Sequence, residues 1–327
     1  MKILLTGATG FVGSHILDSL RARGHSVRLL VRATSNRRFI ARHLPDVEWC
    51  EGSVENLKSL RAAMPGVTHV IHCAGVTSVR HLGDYHRVNC GGTQKVVLAT
   101  NDCHPEVRRM IYVSSLAAAH PATAAAPARE EDPPDPVSEY GRSKLAAEHE
   151  IRANGKVPFT ILRPPSVYGP RDYAFIKLFW TVRRHVLPLP GGGRQTLSML
   201  FARDLAEATV TCLTHPAAEG KTYFVAPPEI VTVRHLAEEI ARQLGVWTIP
   251  LWLPTPLLWP VCAVSEAVCR LIGKPSLLNR HKYAELRAPG WVCDATRLRK
   301  ETGFEAFTPF TEGIKQTVAW FRENCSS

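Results

Sequence analysis

KILLTGATGFVG, residues 2–13, is the stretch that decides the fold of this chain. Its apolar half predicts a buried strand, and the glycines that follow predict a turn that opens a helix. Gly7 allows a sharp turn, Gly10 lets backbone N–H groups approach a pyrophosphate, and Gly13 lets the helix press against the strand. The positive end of that helix would face the phosphates. The stretch therefore predicts a dinucleotide-binding unit, and a tight turn in an unrelated α/β protein is the alternative.

Predicted strands and helices alternate along the chain from this stretch to about residue 163. Apolar residues recur at helical spacing from Val12 to Leu20, and Gly24, as the C-cap, separates this helix from a strand ending at Val31. Further strands are predicted at 47–51, 69–73, 110–113 and 159–163. We therefore expect an α/β fold, a Rossmann-like doubly wound parallel sheet with a smaller, mostly helical C-terminal substrate domain. The expected dinucleotide-binding domain is 1–169 with a return at about 197–226, and the substrate domain is 170–196 with 227–327.

Composition limits the class of protein. A chain of 327 residues that is 45% hydrophobic can bury a large core without disulfides. The nine cysteines include no C-x-x-C pair and the fourteen histidines show no H-x-x-x-H spacing, so neither a disulfide framework nor a metal site is indicated. Because a strand is predicted from Lys2, no room is left for a signal or transit peptide, and we expect a cytoplasmic protein.

The net charge of +11 bears on the partners of the protein. Its arginines are spread along the chain and match no RNA- or DNA-binding motif, so we expect no nucleic-acid partner. A basic surface suits anionic coenzymes, anionic substrates or acidic lipid equally well.

Arginines after the second strand bear on the choice of coenzyme. Arg32 stands where an acidic residue would bind the adenosine ribose of NAD. A guanidinium there would pair with a 2′-phosphate, with Arg37 or Arg38 assisting. NADP(H) is therefore favoured over NAD(H), and simple solvation of these arginines is the alternative.

A tyrosine and a lysine open the helix that precedes the sixth strand. Tyr140 and Lys144 are four residues apart, which places the phenol and the ammonium on one helix face. Such a pair is common by chance, but here a glycine turn lies upstream and Ser115 follows the fifth strand. Ser115, Tyr140 and Lys144 are therefore the predicted catalytic set.

These segments together resemble the extended short-chain dehydrogenase/reductase superfamily. The matching motifs are T-G-x-x-G-x-x-G at 6–13, N-x-x-G-T at 89–93, Ser115, Y-x-x-x-K at 140–144 and R-P-x-x-V-Y-G-P from Arg163. The resemblance covers almost the whole chain and implies its fold and a hydride-transfer reaction. It also implies that Ser115 hydrogen-bonds the reacting oxygen and that Tyr140 exchanges its proton. Lys144 would hold the nicotinamide ribose and lower the Tyr140 pKa, since a cation about 4 Å away supplies about 4 kcal/mol at an effective dielectric of about 20.

The resemblance and the glycine motif also imply which residues bind the cofactor. They are Gly7, Thr9, Gly10, Phe11, Val12, Arg32, Ala74, Gly75, Asn89, Tyr140, Lys144, Pro164 and Ser166. Thr77 and Arg171 are the candidates for contact with substrate.

Departures from the family pattern narrow the reaction. Dehydratases of nucleotide sugars carry an Asp-Glu pair after the serine, where this chain has Leu116 and Ala117, so dehydration of that kind is not expected. Nucleotide-sugar epimerases usually grip the diphosphate with an asparagine and an arginine, where this chain has Ser166 and Thr196. Ser53 stands where an aspartate often contacts adenine.

Residues 249–272 are the most informative part of the substrate side. The stretch is apolar but contains four prolines and Glu266, whereas a membrane-spanning helix needs about 20 uninterrupted apolar residues. Three interpretations stay open: ordinary core, a channel for a greasy substrate, and an interfacial helix anchored by Trp252 and Trp259. We expect the part from Leu251 to Ile272 to line the mouth of the substrate cleft and to touch a membrane peripherally.

Three functions are weighed. The leading one is an NAD(P)(H)-dependent oxidoreductase that interconverts a hydroxyl and a ketone on a hydrophobic, sterol- or lipid-like small molecule, resembling the hydroxysteroid-dehydrogenase-like branch. Tyr140 would be its proton donor or acceptor. The alternative is a nucleotide-sugar epimerase that uses bound NAD(P), and the third is a coenzyme-binding regulator, against which the intact catalytic set argues. The substrate, the direction of reaction and the formation of a homodimer stay open.

Overall fold

The computed structural model describes residues 1–271, 280 and 282–325. The strands in this part of the chain are β1 (Lys2–Thr6), β2 (Ser26–Val31), β3 (Glu48–Glu51), β4 (His69–His72), β5 (Arg109–Val113), β6 (Phe159–Arg163), β7 (Ser166–Tyr168), β8 (Val186–Pro190), β9 (Thr196–Phe201), β10 (Lys221–Phe224), β11 (Ile230–Thr232), β12 (Ile249–Leu253) and β13 (Gly290–Trp291). The α-helices are α1 (Phe11–Ala22), α2 (Leu57–Ala63), α3 (Gly83–Tyr85), α4 (Gly91–Asn101), α5 (Glu139–Asn154), α6 (Ile176–Arg183), α7 (Ala202–Thr214), α8 (Val233–Leu244), α9 (Thr255–Leu271), α10 (Lys282–Arg287), α11 (Thr296–Thr302) and α12 (Phe310–Cys325).

The main sheet has seven strands in the order β3-β2-β1-β4-β5-β6-β10. Every neighbouring pair is parallel. The predicted α/β fold with a parallel, Rossmann-like sheet is confirmed. Because the strand order reverses between β1 and β4, the loops after these two strands diverge and open a crevice at their carboxyl ends.

Helices cover both faces of the main sheet. Successive residues of a strand point to opposite faces, and apolar residues on both faces need to be covered. Ile3 and Leu5 of β1 point into one core layer, which α1 and α7 complete. Leu4, between them, points into the opposite layer with side chains of α2, α4 and α5. Two buried faces explain why these strands are apolar without alternation.

A second, smaller sheet lies outside the main one. Its central strand β9 pairs parallel with β7 and β13 and antiparallel with β11. The sequence predicts that the chain rejoins the dinucleotide-binding domain at about 197–226. The first element of that range, β9, belongs instead to the smaller sheet. Only the later part of that range, α7 and β10, packs on or joins the main sheet. The boundaries between the two domains stay a prediction.

The apolar stretch from residue 249 forms two elements. β12 pairs in parallel with β8, and α9 follows with Pro260 inside it. Ile272, at the end of the predicted membrane-contact segment, lies outside the described residues. In the part of the chain that the structure describes, no helix combines the length and the hydrophobicity needed to cross a membrane.

Candidate active site

A cleft of about 940 Å³ opens at the carboxyl ends of the main-sheet strands. Most predicted site residues line it, namely Gly7, Thr9, Gly10, Phe11, Val12, Arg32, Ala74, Gly75, Thr77, Ser115, Tyr140, Lys144, Pro164, Ser166 and Arg171. The fold therefore brings the glycine motif and the Tyr140 region, more than a hundred residues apart in sequence, into one site.

The glycine turn has the close contacts that its spacing predicts. Gly7 has φ +79°, and a Cβ there would lie 2.6 Å from the backbone nitrogen of Ala74. A Cβ at Gly13 would lie 2.1 Å from the Gly7 carbonyl oxygen, so α1 packs directly on the turn. Among the described residues no side chain caps α1 at Gly10. The first N–H groups of this helix therefore suit a pyrophosphate, and the turn fits a dinucleotide cofactor.

Arg32 and its neighbours lie where the adenosine end of the cofactor is expected. Arg32 and Ser35 both line the cleft. Arg37 lies instead over the ring of Trp49, 4.3 Å from its centroid. Arg38 is held in the same way, 4.2 Å from the centroid of the Tyr173 ring. Of the three arginines predicted to meet a 2′-phosphate, only Arg32 is among the described residues that line the cleft.

Asn89 is placed beneath the cleft and not on its surface. It is 1% exposed, and its Oδ1 accepts a hydrogen bond of 2.8 Å from the backbone of Val76. Its Nδ2 donates to the Ser143 hydroxyl on α5 at 2.9 Å. In this position Asn89 joins the loop after β4 to the helix that carries Tyr140.

Close packing at the start of α5 brings Tyr140 to Ser115. Ser138 caps the helix by accepting from the backbone of Gly141 at 3.1 Å. A Cβ at Gly141 would lie 2.1 Å from the Ala117 carbonyl oxygen, so the helix contacts the turn after β5 directly. The Ser115 hydroxyl hydrogen-bonds the phenol of Tyr140. The serine and the tyrosine can therefore act on one substrate oxygen.

Burial controls the protonation of Tyr140 and Lys144. Burial raises the Tyr140 pKa, the negative charge of Glu285 raises it further, and the hydrogen bond from Ser115 opposes both. Burial lowers the Lys144 pKa to about 8. Lys144 Nζ donates to the Val113 carbonyl at 2.7 Å and to the Tyr112 hydroxyl at 3.2 Å. The expected fall in the Tyr140 pKa is thus absent from the protein alone, because loss of hydration of the phenol outweighs the hydrogen bond from Ser115.

Behind the predicted catalytic residues lies a buried ion pair. Glu148 of α5 is fully buried and accepts from Arg163 Nη2 at 2.7 Å. It also accepts from the Ser114 hydroxyl at 2.6 Å. These contacts tie α5 to the ends of β5 and β6. They therefore fix the position of the helix that carries Tyr140 and Lys144.

Arg171, a predicted substrate residue, is held by α1. Its Nη2 pairs with Asp18 at 2.8 Å, and its Nη1 donates to the Ser14 hydroxyl at 3.1 Å. Its φ of +75° is in the left-handed region, which a non-glycine residue seldom adopts. The guanidinium therefore lines the cleft with its charge already paired.

The cleft also has an apolar side, the expected substrate end, built from residues that the sequence did not single out as substrate contacts. Its apolar wall consists of Phe175, Leu197, Met199, Leu236 and Trp291. Lys282 and Glu285 of α10 add charges to the same wall. No motif marks these residues as substrate contacts, and they are far apart in sequence.

The segment expected at the cleft mouth lies outside the cleft. Among the described side chains of residues 251–269 and Leu271 none lines it, although α9 packs against α10, which does. Ten large apolar side chains of this region are 41–87% exposed, namely Trp247, Ile249, Leu251, Trp252, Leu257, Trp259, Val261, Val264, Val268 and Leu271. We call this set the apolar face. Leu258, by contrast, is 4% exposed, so only part of the helix is core.

Comparison with known proteins agrees with this geometry. The chain is 29% identical to a UDP-glucose 4-epimerase of Vibrio cholerae, over 98% of this chain and 95% of the relative. It is 28% identical to a ceramide reductase of Caulobacter vibrioides, over 98% and 94%. The crystal structure of a UDP-glucose 4-epimerase from Thermotoga maritima superposes with a TM-score of 0.80 at 21% identity, covering 99% of both chains, which shows the shared fold. Residues 3–226 match the model of the NAD dependent epimerase/dehydratase family. The chain therefore belongs to this family, within the extended short-chain dehydrogenase/reductase superfamily.

Proposed function

We propose that the protein is an NAD(P)(H)-dependent oxidoreductase that interconverts a hydroxyl and a ketone on a hydrophobic, sterol- or lipid-like substrate. The observation that carries this proposal is the apolar wall of Leu197, Met199 and Trp291 in the same cleft as Tyr140. Burial of apolar substrate surface there contributes roughly 0.8 kcal/mol per CH₂ group. A nucleotide sugar offers little surface of that kind.

The residues of the site divide the reaction between them. The nicotinamide of the cofactor supplies or accepts a hydride at the reacting carbon. During reduction, Tyr140 donates its phenol proton to the carbonyl oxygen, and Ser115 donates a hydrogen bond to that oxygen. The raised Tyr140 pKa keeps this proton in place at neutral pH. Lys144, whose pKa of about 8 leaves it mostly charged at neutral pH, holds the cofactor ribose.

For the coenzyme we propose NADP(H) in preference to NAD(H). Arg32 lines the adenosine end of the cleft together with Ser35. A guanidinium and a hydroxyl can both donate hydrogen bonds to the 2′-phosphate of NADP(H). The Arg32 guanidinium has no acceptor for the free ribose 2′-OH of NAD(H).

Epimerisation of a nucleotide sugar is the second candidate. It is favoured by the similarity of nearly the whole chain to a protein named as a UDP-glucose 4-epimerase. Ser166 and Thr196 replace the expected diphosphate ligands, and Arg171 is already paired with Asp18. For these reasons we place it second.

Turnover assays separate the two functions. The purified protein is incubated with NADPH or NADH and a panel of ketosteroids, long-chain ketones and nucleotide sugars, and the absorbance of the reduced coenzyme is followed. The proposal expects coenzyme consumption that increases with the apolar surface of the ketone. Interconversion of UDP-sugars without net coenzyme consumption, together with inactivity on ketones, would assign the protein to the epimerases.

The apolar face is proposed to contact a membrane peripherally. Trp252 and Trp259 project from it, and interfacial tryptophans are typical of such contacts. Arg183 and Arg184 are exposed and precede β8, the strand paired with β12, and Arg234 lies 6.0 Å from the Trp252 ring centroid. Basic side chains around an apolar face favour anionic lipid.

A further inference from the structure

Glu285 is a carboxylate in the substrate end of an otherwise mainly apolar cleft. It lines the cleft with Tyr140, Tyr85 and Thr77. Its side chain is only 11% exposed, and it forms an ion pair with Lys282, which lines the same wall. A charged group this far from water is costly unless polar groups compensate it. A ligand that donates a hydrogen bond would add such compensation.

The backbone around Glu285 is held in place by its neighbours. Gln195 Nε2 donates to the carbonyl oxygens of Glu285 and Ala288, at 3.0 Å and 2.7 Å. Trp291 Nε1 donates to the same Glu285 carbonyl at 3.1 Å. The carboxylate is therefore presented from a braced short helix. Rigid placement of this kind favours a role in recognition.

The charge of Glu285 acts on the two tyrosines that line the cleft with it. Its negative charge is among the causes that raise the pKa of Tyr140 and of Tyr85, the latter to about 12, with burial as the larger cause in both. The Tyr85 and Tyr140 rings lie 6.0 Å apart, and the Tyr85 hydroxyl donates to the Thr77 carbonyl at 3.1 Å. One wall of the site thus combines an acceptor with the proton donor.

We propose that Glu285 is a specificity-determining residue that accepts a hydrogen bond from a hydroxyl or amine group close to the reacting carbonyl. The inference rests on the proposed function and narrows its substrate class to hydrophobic ketones that carry such a donor. A ketone without such a donor can pack against the apolar wall, but it gives the Glu285 carboxylate no hydrogen bond. Discrimination of this kind is typical of a buried polar group.

The test compares Glu285→Gln with the unchanged protein on three ketones of equal chain length. One is plain, one carries a hydroxyl and one carries an amine beside the carbonyl. We expect kcat/KM for the hydroxyl and amine compounds to fall about 10- to 100-fold, the loss typical of a charge-assisted hydrogen bond, and the plain ketone to change little. Glu312→Gln, which removes a carboxylate from the exposed surface of α12, is the matched control and should leave all three unchanged.

Rescue by a shorter carboxylate distinguishes a contact from a merely structural role. Glu285→Asp keeps the charged acceptor and should retain more of the preference for the donor-bearing ketones than Glu285→Gln does. A uniform loss on all three ketones in both variants would overturn the inference.

Binding of the same compounds, measured by calorimetry in the presence of NADPH, separates this inference from the proposed function. A preference for the donor-bearing ketones that is lost in Glu285→Gln, without turnover, would contradict the proposed reaction and support the contact. Equal binding and equal turnover of all three ketones by the unchanged protein would overturn the contact and leave the reaction standing.

Discussion

At the scale of single residues, the proposed reaction depends on Tyr140. Replacing it with phenylalanine keeps the ring but removes the proton that the carbonyl oxygen must receive. We expect turnover by Tyr140→Phe to fall about a hundredfold to ten-thousandfold, while coenzyme affinity is retained. Steady-state kinetics and calorimetry measure the two quantities.

Tyr223→Phe is the matched control for this substitution. The Tyr223 hydroxyl donates to the Ala217 carbonyl at 3.0 Å and to Glu301, away from the cleft. It should cost some stability and no turnover. Near-normal turnover by Tyr140→Phe on the natural substrate would remove Tyr140 from the mechanism.

The proposed preference for NADP(H) depends on Arg32. If it pairs with a 2′-phosphate, the protein binds NADPH more tightly than NADH. Losing a charge-assisted hydrogen bond costs about 1.5–3 kcal/mol, so Arg32→Ala should reduce this preference about 10- to 100-fold. Calorimetric titration with both coenzymes measures it.

Arg37→Ala is the control for Arg32, because its guanidinium lies over Trp49 and outside the cleft. It should leave the preference unchanged. Equal affinity of the unmodified protein for the two coenzymes would refute the assignment.

The sequence predicts the candidate site best where short motifs mark its residues. The glycine turn and the Tyr140-Lys144 spacing are local patterns, and each has one physical reason. Asn89 shows the limit of this reasoning, because its motif indicates a role near the cofactor but not that the side chain lies beneath the cleft. Glu285 carries no local signal at all, since only the tertiary fold brings α10 to Tyr140.

At the scale of elements, β4 carries a histidine that makes the stability of the fold depend on pH. His72 is fully buried and hydrogen-bonds Thr6 at 2.8 Å and Thr93 at 3.0 Å. Burial, with a smaller effect of the Lys144 charge, lowers its pKa from 6.5 to about 3. His72 is therefore neutral in the folded protein. Because it can be protonated more easily in the unfolded chain, acid favours unfolding.

The pH dependence of stability follows from this lowered pKa. The contribution of His72 is fully present above the unfolded pKa and is lost as the pH falls from 6.5 towards about 3. Between about pH 7.5 and pH 5, the unchanged protein should lose roughly 2 kcal/mol more unfolding free energy than His72→Gln, which does not titrate. Urea unfolding at the two pH values measures the difference. Identical losses in the two proteins would show that His72 is not the titrating group.

The elements themselves were predictable to different degrees. β1 to β6 all form close to their predicted bounds. β1, β4, β5 and β6 are almost wholly buried, which favours apolar residues on both faces, whereas β3 lies at the edge of the sheet and is mostly exposed. β7, β9, β11 and β13 pair across long sequence distances and are two to six residues long. Short strands of this kind offer too few residues for a clear alternation, so their sheet emerged only from the fold.

At the scale of the whole molecule, the apolar face and the positive net charge of the chain both favour contact with anionic lipid. The net charge is +11, and in the sequence of α9 the one acidic residue is Glu266, whose carboxylate pairs with Arg280 at 3.1 Å. Each basic residue near an anionic surface contributes about 1 kcal/mol. The apolar face therefore carries little negative charge that would repel acidic lipid.

Vesicle flotation tests this membrane contact. The unchanged protein should float with vesicles that contain anionic lipid, less so with neutral vesicles or at high salt. Trp252→Ser combined with Trp259→Ser should weaken binding by roughly tenfold or more, because burying a large apolar side chain contributes about 1.5–3 kcal/mol. Trp49→Ser, on β3 and 44% exposed, is the matched control and should float normally. Leu258→Ser should lower stability instead, since this leucine is buried. If the unchanged protein fails to float but sediments as a dimer that the double variant cannot form, the apolar face belongs to a second copy of the chain and not to a membrane.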